Sequence, residues 1–219
     1  GDADRMSSKS IVVDYGSGNL RSAEKALVRA SAEAGLDYEI EVSADPDSLL
    51  QADKIILPGV GAFADCMVGL SAIDGLKEAL VEAVQDKATP FLGICVGMQL
   101  MAEWGLEHGR HKGLGWIKGA VGPLRPKDPG LKIPHMGWNT LVLKKPHAVL
   151  QNIADGTHMY FVHSYAFSSD QDDLLATSDY GGPFGALVAR DNKIGMQFHP
   201  EKSQRAGLHI LGNFLDWQP

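Results

Sequence analysis

Two rhythms of apolar positions run along this chain. In the first hundred residues, short apolar runs alternate with stretches of helical period. Ser10-Ile11-Val12-Val13-Asp14-Tyr15 is a β-branched run of the kind that forms a strand buried on both faces. Gly16-Ser17-Gly18-Asn19 breaks it, with Asn19 in position to cap a helix. Leu20, Ala23, Leu27, Ala30 and Ala34 then recur at helical spacing up to Gly35. Residues 38–42 predict a second strand. Asp45-Pro46-Asp47 opens a short helix through about Ala52, and Lys54-Ile55-Ile56-Leu57 predicts a third strand. Asp74 is placed to cap a helix whose Leu76, Leu80, Ala83 and Val84 form an apolar face. Phe91-Leu92-Gly93-Ile94 predicts a fourth strand, and residues 96–101 the first turns of a helix. Strands alternating with helices call for a mostly parallel sheet covered by helices on both faces.

The rhythm changes after Gly105. Gly and Pro become frequent, and short strands are predicted at 118–121, 141–143, 159–162, 186–189 and 193–197. These read as antiparallel additions that extend the main sheet. Residues 207–217 close the chain as a helix with Leu208, Leu211 and Leu215 on one face. No repeat, low-complexity tract or linker divides the chain. The expected fold is therefore α/β: a three-layer αβα, flavodoxin-like domain over 10–219. Its central sheet is mostly parallel, with antiparallel additions in the C-terminal half. Residues 1–9 are expected to be disordered or a remnant of expression, with Met6 the natural start.

Composition narrows the function classes. The 219 residues are 44% hydrophobic and 21% charged, ordinary for a soluble globular domain. A net charge of -7 argues against a nucleic-acid or anionic-membrane binder, since phosphate binding needs clustered Lys and Arg. The longest apolar stretch, 91–102, is too short to span a bilayer, and residues 1–10 carry no secretory signal. Only Cys66 and Cys95 occur, which fits reduced thiols in the cytoplasm rather than a disulfide framework. The loop at 16–19 lacks the full dinucleotide fingerprint, because position 21 is Arg. His108 and His111 lack a recognisable third ligand, so neither metal nor cofactor is expected.

Candidate chemistry centres on Cys95. Gly93 and Gly97 flank it in a Gly-x-nucleophile-x-Gly pattern, the sign of a sharp strand-to-helix elbow. A cysteine at a helix start is favoured as thiolate, and the N–H of Val96 can face an oxyanion. A lone cysteine in an apolar run is more often core. A second stretch about a hundred residues on, Gln197-Phe198-His199-Pro200-Glu201, changes that balance. It supplies a base and an orienting acid two residues apart, able to point to one side at a strand end. The turn Pro58-Gly59-Val60-Gly61-Ala62-Phe63 is glycine-rich enough to present backbone N–H groups to a ligand.

These motifs resemble a known family. Gly93-Ile94-Cys95-Val96-Gly97-Met98-Gln99 with the downstream Phe198-His199-Pro200-Glu201 is similar to the class I, or triad, glutamine amidotransferases. Four further segments resemble the glutaminase subunits of imidazole glycerol phosphate synthases: 14–20, 58–63, Pro134-His135-Met136-Gly137-Trp138-Asn139, and Tyr160-Phe161-Val162-His163-Ser164-Tyr165. Ala166 departs from the aromatic usual after the last segment. The resemblance covers nearly the whole chain. It implies hydrolysis of glutamine to glutamate and ammonia by Cys95, His199 and Glu201. Val96 and the Val60-Gly61 turn would supply oxyanion donors. Gly59, Gly61, Gln99, Glu107, Ser164 and Tyr165 would bind glutamine. Ammonia would pass to a TIM-barrel cyclase subunit, in a heterodimer of histidine biosynthesis, through a face bearing Asn19, Met136, Trp138 and Lys202. The other readings are a glutaminase serving another acceptor, a catalytically silent flavodoxin-like binding module with Cys95 as packing, and a cysteine peptidase on the same elbow.

Overall fold

The computed structural model describes residues 8–219. In chain order the elements begin with β1 (Ser8–Val13), α1 (Leu20–Glu33), β2 (Tyr38–Ser43), α2 (Pro46–Gln51), β3 (Lys54–Leu57) and α3 (Phe63–Ala72). Next come α4 (Leu76–Val81, continued by a π turn at Glu82–Asp86), β4 (Phe91–Ile94), α5 (Val96–Gln99), β5 (Ala102–Gly105), β6 (His111–Lys112) and β7 (Ile117–Pro123). The rest are β8 (His135–Thr140), β9 (Val142–Leu143), β10 (His158–His163), β11 (Tyr165–Ser168), β12 (Leu174–Asp179), β13 (Pro183–Arg190), β14 (Lys193–Met196) and α6 (Gln204–Asp216).

The main sheet runs β2-β1-β3-β4-β14-β13-β11-β7-β5-β6, with β12 and β9 branching from β13. Its first five strands are all parallel. They are the apolar runs of the sequence, and residues 11–13, 55–57 and 91–94 are buried, as parallel strands covered on both faces must be. Two helical groups flank them: α1 packs on α6, while α2 packs on α4 and α3 on α4 and α5. Beyond β14 the pairing turns antiparallel, through β13 and β11 to β7. A separate ribbon, β8 with β10, stands off the main sheet.

Several expectations need correction. The strand at 193–196 is not an antiparallel addition: it pairs parallel with β4, inside the sheet. The first strand is described from Ser8, two residues before the expected start at 10, and residues 1–7, including Met6, lie outside the described residues. Asn19 stands at the start of α1 without a side-chain cap bond, and Gly75 rather than Asp74 precedes α4. Asp45 does cap α2, accepting from the Asp47 N–H at 3.0 Å. The helix α3 and the strands β5, β6, β8, β11 and β12 went unpredicted. They lie in segments whose Gly content or irregular exposure masks the period.

Candidate active site

Four parallel strands end at one place. The loops following β1, β3, β4 and β14 begin at Asp14, Pro58, Cys95 and Gln197. Open α/β sheets gather ligands at the carboxyl ends of their strands. A cleft of about 430 Å³ opens there, lined by Val60, Gly61, Cys95, Val96, Gln99, Glu107, Ser164, Tyr165, His199 and Lys202. A larger groove of about 820 Å³, around Pro146 and His147, holds none of the candidate residues.

The elbow has the geometry its glycines predict. Cys95 adopts φ 55°, a left-handed conformation that costs a non-glycine residue about 1–3 kcal/mol. A Cβ on Gly97 would sit 1.8 Å from the Leu57 carbonyl oxygen, and one on Gly93 would sit 2.6 Å from the Gly97 carbonyl oxygen. The chain can turn so tightly only because both side chains are missing. The following helix is one turn long, four residues, so its dipole lends Cys95 little, contrary to the expectation from sequence.

The charge comes from a side chain instead. His199 and Cys95, each 4% exposed, line the same cleft. The Nδ1 of His199 lies 2.7 Å from Glu201 Oε1. Burial opposes a charge on His199, but its contacts with Cys95 and Glu201 outweigh burial and push its pKa up to about 10. A cationic imidazole beside a buried sulfur is a setting for thiolate chemistry. The β8–β10 ribbon pins both residues. The His199 N–H donates to the Tyr160 carbonyl at 2.8 Å, and Cys95 Sγ lies 3.7 Å from the Val162 carbonyl.

The oxyanion turn differs from the expectation. The Val96 N–H is not free: it donates to the Gly59 carbonyl at 3.3 Å. The Val60 N–H points away and donates to Ser17 Oγ at 3.1 Å. Ser17 Oγ also donates to the Val60 carbonyl at 2.8 Å, and Cys66 Sγ donates to the same oxygen at 3.3 Å. The Gly59-Val60 peptide is thus turned with its oxygen toward the elbow, and neither the Val96 nor the Val60 N–H is free for the cleft. Ser17 and Cys66 were missed as holders of this turn. Cys66 is buried, as expected of a packed thiol, but it also bonds.

Among the substrate candidates, Gln99 is buried and donates from Nε2 to the Tyr165 carbonyl and to Gln197 Oε1, both at 3.1 Å. Glu107 accepts from the Phe63 N–H at 3.3 Å, which ties it to the start of α3. Gly59 lies behind the cleft, where a Cβ would meet the Tyr15 hydroxyl at 2.7 Å. Gln197, also missed, is fully buried, with Nε2 3.8 Å from Cys95 Sγ. It lies just past the end of β14, two residues before His199, and Pro200–Lys202 then form a 3-10 turn rather than continuing an extended path. Asn19 and Lys202 are exposed, as are Met136 at 62% and Trp138 at 47%. Among the described residues no group of three or more His, Cys, Asp or Glu is placed to hold a metal. No helix there is long and apolar enough to cross a membrane.

Residues 11–217 match the family model of glutamine amidotransferase class-I. The chain belongs to the class I glutamine amidotransferases. It is 57% identical, over 95% of its length and 98% of the relative's, to the imidazole glycerol phosphate synthase subunit HisH of Rhodospirillum rubrum. The subunit of the same name from Caulobacter vibrioides is 56% identical over 95% of this chain and 98% of its own. Within the family the chain therefore falls among these synthase subunits. A solved glutamine amidotransferase superposes with TM-score 0.68 at 19% identity, covering 94% of this chain and 97% of its own. Another, from Thermotoga maritima, gives 0.55 at 15%, covering 92% and 80%. Identities that low speak for the fold alone.

Proposed function

We propose that this chain is the glutaminase half of a two-subunit imidazole glycerol phosphate synthase, acting in the cytoplasm in histidine biosynthesis. The observation that carries the reading is the His199–Glu201 hydrogen bond of 2.7 Å, with His199 and Cys95 lining one cleft. Cys95 thiolate attacks the side-chain amide carbon of glutamine, and the carbonyl electrons move to oxygen. The C–N bond then breaks as His199 gives its proton to the departing nitrogen, leaving ammonia and a thioester. Neutral His199 takes a proton from water, which attacks the thioester. The C–S bond breaks, glutamate leaves, and thiolate and imidazolium are restored. Glu201 orients His199 and stabilises its charged form.

Glutamine is a zwitterion. Gln99, Glu107 and the backbone at Gly61, Ser164 and Tyr165 hold its amino-acid end, with Gly59 shaping the turn. Before it stabilises an oxyanion, the Gly59-Val60 peptide has to rotate, which frees the Val96 N–H and turns the Val60 N–H inward. The partner is a TIM-barrel cyclase, which receives the ammonia unreleased. It forms imidazole glycerol phosphate and an aminoimidazole carboxamide ribotide. Asn19, Met136, Trp138 and Lys202 form the docking face. Asn19 is two residues from Ser17, which holds the turn, and Met136 is two from Pro134, which lines the cleft. Docking there releases the turn. The test is glutamine turnover with the cyclase and its ligand present or omitted. A large rise on addition is expected, and equal rates would refute the release.

A further inference from the structure

Along the wall of the cleft, which His163 itself lines, runs a chain of hydrogen bonds that takes no part in bond making. Its proton positions follow from its acceptors. The Tyr165 carbonyl can only accept, so His163, 3.0 Å away through Nδ1, carries its proton there. His163 Nε2 is then bare and accepts from His135 Nδ1, 2.8 Å away. That leaves His135 Nε2 bare, and it accepts from Asn139 Nδ2 at 3.3 Å. The same Asn139 nitrogen donates to the Asp179 carbonyl at 2.7 Å, and Asn139 Oδ1 accepts from the Thr140 N–H at 2.8 Å. Both imidazoles are therefore neutral. Burial agrees, pulling each pKa down to about 4. The His135 ring is stacked on Phe161 and Tyr180, with centroids 5.1 and 4.2 Å away, so it has little freedom to turn.

The Tyr165 carbonyl has a second donor, Gln99 Nε2. The other proton of that amide goes to Gln197 Oε1. With both protons used, the atom Gln99 offers the cleft is Oε1, an acceptor. The α-ammonium of glutamine is a donor. We propose that His163, backed by His135, is a positioning residue for glutamine: it fixes the Tyr165 carbonyl, which fixes Gln99 with its oxygen turned to the substrate ammonium. This rests on reading the cleft as the glutamine site. The histidines touch no reacting atom, so their loss weakens binding more than it slows bond making.

Two variants in the cyclase-bound enzyme test it. His163→Phe keeps a ring but removes both nitrogens, and it raises KM for glutamine about tenfold, with a smaller fall in kcat. His163→Asn puts an amide N–H near the lost Nδ1–H and recovers most of that loss. In a Gln99→Ala background, His163→Phe adds little further rise in KM, because the residue it positions is gone. An unchanged KM in His163→Phe, or a rise undiminished on Gln99→Ala, overturns the proposal. Failure of the underlying reading looks different: Cys95→Ala would keep its turnover. Should His163→Phe not fold, nitrogen NMR of the unaltered protein decides. Protons on Nδ1 of both rings support the chain, and a proton on His163 Nε2 at neutral pH overturns it.

Discussion

The ends of β4 and β14 border the same cleft as the turn after β3, yet different forces hold them. Cys95 and His199 follow the ends of adjacent parallel strands of the buried sheet, and the ribbon carbonyls pin them. Moving either means breaking packed structure, which is costly because interiors are close-packed. The Gly59-Val60 peptide is held by one hydrogen bond to the Ser17 hydroxyl and one from the Val96 N–H, and the following peptide by the Ser17 hydroxyl and the Cys66 thiol. Each such bond nets only about 1 kcal/mol. The proposed acid–base apparatus is thus fixed by the fold, while the donors proposed to steady the oxyanion depend on a peptide that small forces can turn. An activating contact needs to supply only a few kcal/mol at the turn and nothing at the sulfur.

Four changes sharpen or break this contrast. Cys95→Ala has the largest effect: glutamine turnover in the complex falls by about 10⁴-fold or more, while thermal unfolding shows the fold kept. Turnover near the parent rate would remove the fixed half of the comparison. Glu201→Gln comes next, with a loss of about 10²–10⁴-fold in kcat. It also changes stability with pH. The His199 pKa is raised from 6.5 to about 10, so its contribution is fully present below about pH 6.5 and fades as pH climbs through 10. Denaturant midpoints of the variant, measured across that window, should fall less steeply than the parent's.

Gly97→Ala probes how tightly the elbow is clamped. Its Cβ would meet the Leu57 backbone oxygen, which cannot swing aside, so unfolding free energy drops by roughly 2–4 kcal/mol. A variant as stable as the parent would mean that the elbow yields. Ser17→Ala is smallest. It removes both hydroxyl bonds to Val60, and glutamine turnover without the cyclase rises about fivefold. If that rate falls or stays fixed, the hydroxyl does not hold the turn closed.

What the sequence revealed divides along the same line. Periodic apolar runs announced the parallel half of the sheet, since strands buried on both faces leave continuous Val, Ile and Leu. The flanking glycines announced the elbow, because backbone crowding leaves no other residue. Peptide orientation leaves no such trace. Pro58-Gly59-Val60-Gly61 reads the same with its oxygen facing the cleft or away from it. The bonds that decide come from Ser17, 43 residues distant from Val60, and from the Val96 N–H at the elbow. The place of 193–196 was also hidden, because whether a buried strand runs parallel or antiparallel depends on its partner. Histidine pairing across β8 and β10 escaped for the same reason: it exists only once 135 and 163 stand opposite each other in register.

Acid-quenching the enzyme during turnover and weighing the peptide that contains Cys95 tests this account most directly. A glutamyl thioester should appear on Cys95, slowly without the cyclase and much faster once the ligand-bound cyclase is added. Equal rates of formation, or steady glutamine hydrolysis with no acyl group on Cys95, would contradict it.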